Sequence, residues 1–247
     1  MKEIPFSYIW NEIELLGIYH KVNCVSKKGV LFIHGLPGDR VDTRRIMVRM
    51  ARELQKVGIP SVRVDLFSAG VSGGRTECLS YFDQIKQLYG ILIKINQTKL
   101  WEKTILVAFS DGAKLALNLA EKYNKIIGIC MCNGIIVKET FQYGKEIKRF
   151  YRRKGEMVYD IDCGLWINKR ILEENERLCM KTCEELPKIP ILGIYGSGDM
   201  ATVQSRAFVK TYARLKIIKG ADHLFTSSKW EKELINYIKE WCLKIEG

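Results

Sequence analysis

Strands and helices alternate along this chain from residue 29 onward, and the alternation predicts an α/β fold with a mostly parallel, doubly wound sheet. Three observations carry the prediction. Apolar runs of strand length recur, and amphipathic helical stretches fall between most of them. The opening residues, 1–30, instead alternate apolar and polar, as antiparallel strands at a sheet edge do.

Residues 30–34 read as a buried strand, and 43–57 as a helix with Ile46, Met47, Met50 and Leu54 on one face. Residues 59–65 form the next strand. A helix is expected over 77–96, opened by Thr76 as its N-cap. Strands follow at 103–109, 126–132, 189–195 and 215–218, and a helix over 227–245 closes the chain. There are no repeats and no low-complexity segments. With 247 residues and 47% hydrophobic content, one domain of this kind can bury a large core.

The stretch Ala108-Phe109-Ser110-Asp111-Gly112 follows the apolar run Thr104-Ile105-Leu106-Val107 and leads straight into Ala113-Lys114-Leu115-Ala116. That is strand, abrupt turn, helix, with a serine at the apex and small residues two positions to either side. Such a turn strains the serine backbone, exposes the hydroxyl above the sheet, and places it beside free N–H groups at a helix start. The pattern is G-x-S-x-G with alanine first, and five residues alone also fit an ordinary strand-to-helix connection.

A serine nucleophile needs a base, and the base needs an orienting acid. The chain has only three histidines. His20 sits in an alternating strand segment and His34 at a strand end, whereas His223 lies in a loop between a late strand and the last helix. Asp199, in Gly196-Ser197-Gly198-Asp199, ends another apolar strand; Asp65 and Asp222 are rival acids. Asp222 adjoins His223 in sequence, and neighbours rarely meet face to face, which favours Asp199. The order Ser, Asp, His is the one α/β-hydrolases use.

The chain resembles the α/β-hydrolase family over nearly its whole length, and within it the small carboxylesterases of the cinnamoyl-esterase and serine-aminopeptidase-like group. The resemblance rests on His34-Gly35-Leu36-Pro37-Gly38, Val64-Asp65-Leu66-Phe67-Ser68-Ala69-Gly70, the serine turn, Gly196-Ser197-Gly198-Asp199 and Gly220-Ala221-Asp222-His223. Ala108 stands where the family usually has glycine, and Phe109 where it often has histidine. The resemblance implies the α/β-hydrolase fold and a Ser110–Asp199–His223 triad. It also implies an oxyanion hole made by the backbone N–H groups of Leu36 and Asp111. A carboxylate at position 111 would oppose an oxyanion, so its side chain is expected to point away. His34 is expected to support the oxyanion loop.

The interval 138–188 exceeds what a plain crossover needs. Family members commonly carry a lid there, after the sixth strand, which divides the chain into a core of 1–137 and 189–247 and a lid of 138–188. Ile147, Phe150 and Tyr151 fall at helical spacing, with Lys145, Lys148, Arg149 and Arg152 around the rest, so an amphipathic helix that binds the acyl group is expected. A helix packed on the sheet edge would show the same periodicity. Phe141, Tyr143, Tyr159 and Trp166 suit either an aromatic substrate lining or a lid core.

The eight cysteines include no CxxC pair, and with so few histidines no metal or other cofactor is expected. Cys130 and Cys132 alternate along a buried strand, and Cys179 and Cys183 stand one helical turn apart. The opening residues carry no apolar export segment, and the longest uncharged run, 126–137, is too short to span a bilayer. Reduced thiols in a cytoplasmic protein are the resulting expectation. The net charge of +12 is spread along the chain without a nucleic-acid-binding signature. It suits a solvated surface, or attraction of an acidic carrier protein.

The function expected is hydrolysis of a small-molecule carboxylic ester through an acyl-enzyme. The alternatives are an acyl thioesterase or acyltransferase acting on a carrier-bound acyl group, a peptidase acting on short peptides, and a catalytically silent binding protein on the same fold.

Overall fold

The computed structural model describes residues 2–23, 26–139, 150–153, 156–160 and 166–246. The strands β1 (Lys2–Trp10) and β2 (Ile13–Lys21) form an antiparallel hairpin. They are followed by β3 (Lys28–Ile33), α1 (Ile46–Lys56), β4 (Ser61–Val64) and α2 (Tyr81–Gln97). Next come β5 (Lys103–Phe109), α3 (Gly112–Ala120) and β6 (Ile126–Cys132). After an inserted segment, β10 (Ile191–Gly196), α5 (Val203–Tyr212), β11 (Arg214–Ile218) and α6 (Ser228–Lys244) complete the chain. The insertion holds β7 (Phe150–Arg153), β8 (Glu156–Asp160), β9 (Trp166–Asn168) and α4 (Lys169–Leu178).

Eight strands make the main sheet in the order β1-β2-β4-β3-β5-β6-β10-β11. The hairpin joins it antiparallel through β2 and β4, and every pairing from β4 to β11 is parallel. Alternation along β5 shows how the core divides. Leu106 and Ala108 face the layer built from Ile85, Leu88 and Leu92 of α2 and Leu115 and Leu119 of α3. Ile105, Val107 and Phe109 face Met47, Met50 and Leu54 of α1 and Leu234, Ile238 and Trp241 of α6. Because β5 is buried on both faces, it reads as a continuous apolar run.

Three expectations change. The helix after β4 begins at Tyr81, and its N-cap is Ser80, whose Oγ accepts from the Asp83 N–H at 3.2 Å; Thr76 opens a separate 3-10 turn, Thr76–Cys78. Phe150 and Tyr151 lie in a strand, not in a helix. The strand β7 pairs antiparallel with β8, matching Phe150 with Tyr159 and Tyr151 with Val158, and β8 pairs with β9. Aromatic and β-branched residues favour a pleated surface when cross-strand neighbours exist, and three positions are too few to fix a helical period. Ile147 lies outside the described residues. Cys179 follows the end of α4 and Cys183 opens a 3-10 turn, so no helix joins them.

Polar contacts seat the insertion on the core. The Asn168 side-chain amide donates to Glu77 O at 2.7 Å and to Leu79 O at 3.2 Å. Glu174 of α4 accepts from the Tyr81 N–H at 2.6 Å and from Ser80 Oγ at 2.9 Å, so a carboxylate caps the start of α2. Glu139 does the same for α5, accepting from the Gln204 and Ser205 N–H groups at 2.8 and 2.7 Å. Among the described residues, no helix is long and apolar enough to cross a membrane.

Two stability tests follow. At Gly112, a Cβ would stand 2.6 Å from the His34 carbonyl oxygen and 2.9 Å from that of Ile33. Gly112→Ala is therefore expected to cost roughly 1–3 kcal/mol, read from the urea midpoint. His20 is buried and accepts from Arg63 Nε at 2.9 Å; burial first, then the Arg63 charge, pushes its pKa down to about 4. In the unfolded chain a histidine takes its proton near 6.5, so stability is expected to fall as pH drops from about 6.5 towards 4. His20→Gln should flatten that slope in pH-dependent melts.

Candidate active site

The parallel strands of the main sheet point their carboxyl ends at one rim, and the loops leaving β3, β5, β10 and β11 meet there. Ser110, at the β5–α3 junction, has φ of 47°, a left-handed conformation that an L-residue adopts only when neighbours hold it. Three backbone hydrogen bonds hold it here. Its N–H donates to Cys132 O at 3.1 Å, and its carbonyl accepts from Ala113 at 3.1 Å and Ile135 at 3.0 Å. The β3 loop presses against it, since a Cβ on Gly35 would stand 2.9 Å from Ser110 Cβ.

His223 Nε2 lies 3.0 Å from Ser110 Oγ, and His223 Nδ1 lies 2.8 Å from Asp199 Oδ2. With Nδ1–H donating to the carboxylate, Nε2 is the acceptor that faces the serine hydroxyl. The same Asp199 oxygen accepts from Thr202 Oγ1 at 2.8 Å, and the other accepts from the Ala201 N–H at 2.9 Å. Burial pushes the Asp199 carboxyl up, but the hydrogen bond and charge of His223, with those two donors, bring it below its ordinary value. Burial disfavours the His223 imidazolium too. Asp199, then Asp111 and Asp42, outweigh that and hold its pKa above the ordinary histidine value.

The rival acids are occupied elsewhere. Asp222 closes its own turn, accepting from the Leu224 and Thr226 N–H groups at 3.1 and 3.0 Å and from the Thr226 hydroxyl. Asp65 is fully buried and anchors two loops, accepting from the Arg40 N–H at 2.7 Å, the Arg40 guanidinium and the Val71 N–H at 2.9 Å. The His34 ring is engaged within its own surroundings. Its Nδ1–H donates to Gly35 O at 2.8 Å, and its Nε2 accepts from the Leu66 N–H at 3.2 Å, which fixes the loop bearing Leu36.

A cavity of about 490 Å³ opens beside Ser110 and His223. Leu36, Pro37, Ile46, Phe109 and Leu224 supply its apolar wall, and Asp39, Asp42 and Thr43 a polar one. Among the described residues, neither the Leu36 nor the Asp111 N–H donates to a protein acceptor. The Asp111 carboxylate is turned to Lys114, whose Nζ lies 2.5 Å from Oδ1. The cavity lining that the structure describes comes from the core loops, and the side chains of Ile147, Phe150 and Tyr151 lie outside the described residues.

Sequence reading passed over Asn133 and Asp42. Asn133 is buried where β6 ends; its amide donates to the carbonyls of Asp222 and His223 at 3.0 and 2.8 Å, and its Oδ1 accepts from the Gly196 N–H at 2.8 Å. One side chain thus ties together the loops of Asp199 and His223. A polar residue closing a buried apolar strand is the signal that would have found it. Burial raises the Asp42 carboxyl, against the Thr43 N–H that lowers it. Nothing in a loop sequence tells that such an aspartate faces a cavity.

No protein-family model and no curated protein sequence matches the chain. Solved structures do. Est1E from Butyrivibrio proteoclasticus, with ferulic acid bound, is 16% identical with a TM-score of 0.79 over 97% of this chain and 98% of its own. The esterase domain of a Rhodothermus marinus protein is 17% identical, with a TM-score of 0.74 over 98% of each chain. A soluble variant of monoglyceride lipase from Saccharomyces cerevisiae, in complex with a substrate analogue, is 16% identical with a TM-score of 0.75, over 100% of this chain and 96% of its own. Sheet order, the left-handed serine between β5 and α3, and these end-to-end likenesses give one answer: the chain has the α/β-hydrolase fold.

Proposed function

We propose that this protein is a serine hydrolase that cleaves small-molecule carboxylic esters through an acyl-enzyme. The observation that carries the reading is the unbroken run from Ser110 Oγ to His223 Nε2 and from His223 Nδ1 to Asp199, at 3.0 and 2.8 Å, on the wall of a cavity. In this reading Ser110 attacks the ester carbon while His223 takes its proton. Asp199 keeps the imidazole in the right tautomer and stabilises its cation. The negative oxygen of the tetrahedral intermediate accepts from the Leu36 and Asp111 N–H groups, which no acceptor among the described residues occupies. His223 then gives its proton to the departing alcohol. Water attacks the acyl-enzyme with His223 again as base, and the acid leaves with Ser110 restored.

Solved structures similar to this one include esterases and a monoglyceride lipase, which supports ester hydrolysis. The apolar wall of Leu36, Ile46, Phe109 and Leu224 suits an uncharged acyl or aryl group. Asp39 and Asp42 in the same lining disfavour an anionic acyl group close to the serine. In this reading the segment 138–188 is a lid over the rim, and Phe150 and Tyr151 belong to its acyl-selecting part.

Ser110→Ala should abolish fluorophosphonate labelling and aryl-ester turnover; labelling that persists on another serine would refute the assignment. Asp199→Asn should lower kcat by on the order of 10⁴, and Asp222→Asn by far less, in steady-state assays. The base must be neutral, and its pKa is held up by the carboxylates around it. Activity is therefore expected to fall with decreasing pH through a value above 6.5, the ordinary value for histidine.

A further inference from the structure

Lys114 is completely buried in α3, one turn beyond the proposed nucleophile. Its ammonium donates to Asp111 Oδ1 at 2.5 Å and to the Asn175 side-chain oxygen of α4, and stands 5.5 Å from the centroid of the Tyr81 ring of α2. A buried ion pair is no cheap way to fill space. Two apolar residues of similar volume would serve stability as well or better, so this pair calls for another explanation. Its position supplies one. The Asp111 N–H faces the proposed oxyanion, and a carboxylate on the same residue, left free, would repel that charge.

We propose that Lys114 is a positioning residue, which draws the Asp111 carboxylate away from the oxyanion, fixes the peptide between Ser110 and Asp111, and through Asn175 makes turnover depend on how α4 is seated. The proposal rests on the serine-hydrolase reading for its kinetic consequences, but its electrostatic consequence is independent of substrate. The charged groups facing His223 are Asp199 from the β10–α5 loop, Asp111 from the start of α3 and Asp42 from the β3–α1 loop. Around Lys114 stand the Asp111 carboxylate at the N-cap of its own helix and two uncharged titratable groups, Tyr81 on α2 and the Cys179 thiol after the end of α4. Removing the ammonium leaves the Asp111 charge uncompensated, and that charge favours the imidazolium of His223.

The test uses Lys114→Met, the double variant Asp111→Asn/Lys114→Met, and Asn175→Ala, all in the full chain. With only three histidines, the His223 ring can be titrated directly by NMR. Lys114→Met should raise the His223 pKa and the acid limb of the pH–rate profile together. It should lower kcat on an aryl ester by roughly tenfold or more, with KM changed less. The double variant should return both pKa and kcat towards wild type, which no purely structural role predicts. Asn175→Ala should lower kcat a few-fold. If Lys114→Met does not fold, Lys114→Gln, which keeps an amide donor at that depth, carries the same comparison. Unchanged His223 titration in the folded single variant, or a double variant as impaired as the single one, overturns the proposal. Unchanged kcat in Asn175→Ala overturns the link to α4. Loss of the hydrolase reading shows separately, as wild-type protein that neither labels at Ser110 nor turns over esters while the NMR shifts still appear.

Discussion

The left-handed backbone of Ser110 is the constraint on which the rest of the site depends. A residue with φ of 47° at the end of a strand relaxes unless its surroundings over-determine it. Here the neighbouring strand β6 accepts its N–H through Cys132 O, the following loop donates to its carbonyl through Ile135, and the first turn of α3 does so through Ala113. Glycine at 35 and 112 lets the β3 loop and the helix come within contact of the same turn. The hydroxyl is thereby lifted off the sheet towards His223, and the Asp111 N–H is left without a partner among the described residues. Strain and exposed donors are two results of one arrangement.

Buried polar side chains carry that arrangement outward. Asp65 and Arg40 hold the loop that follows Leu36, His34 locks its start, and Asn133 pins the loops of Asp199 and His223 to the end of β6. Each of these groups is buried or half-buried, and Asp65, His34 and Asn133 all hydrogen-bond to backbone atoms of the loops around the site. Apolar packing is non-directional and cannot aim a loop, whereas a buried donor left without its acceptor costs about 1–3 kcal/mol. The same logic seats the insertion, where Glu174 and Glu139 cap α2 and α5. The insertion is thus tied to the helices that flank the site by charges as well as by its apolar residues.

Charge is distributed unevenly between surface and site. The chain carries a net +12, yet the cavity wall presents Asp39 and Asp42, and three carboxylates bear on His223. Net charge governs long-range encounter and solubility, and salt screens it. A few buried carboxylates at short range govern the protonation of the imidazole. Composition therefore said little about the chemistry at the rim.

The sequence by itself determined the sheet and the turn. Strands β5 and β6 are buried on both faces, and such strands are uninterrupted apolar runs whose ends are visible in the residues; both lie where the runs placed them. The alternation of residues 2–21 revealed the antiparallel edge, and small residues around Ser110 revealed the abrupt turn, because local sterics decide both. Tertiary structure alone decided what depends on partners distant in the chain. Ser80 rather than Thr76 caps α2 because Glu174, remote in sequence, completes the cap. Phe150 and Tyr151 form a strand because β8 pairs with them. Asp199 meets His223, while Asp65 and Asp222 are engaged by Arg40 and Thr226. The Asp111 carboxylate is paired with the buried ammonium of Lys114. Periodicity and turn chemistry are local properties that a sequence displays directly, whereas the partner of a buried polar group is chosen by the packing that brings distant segments together.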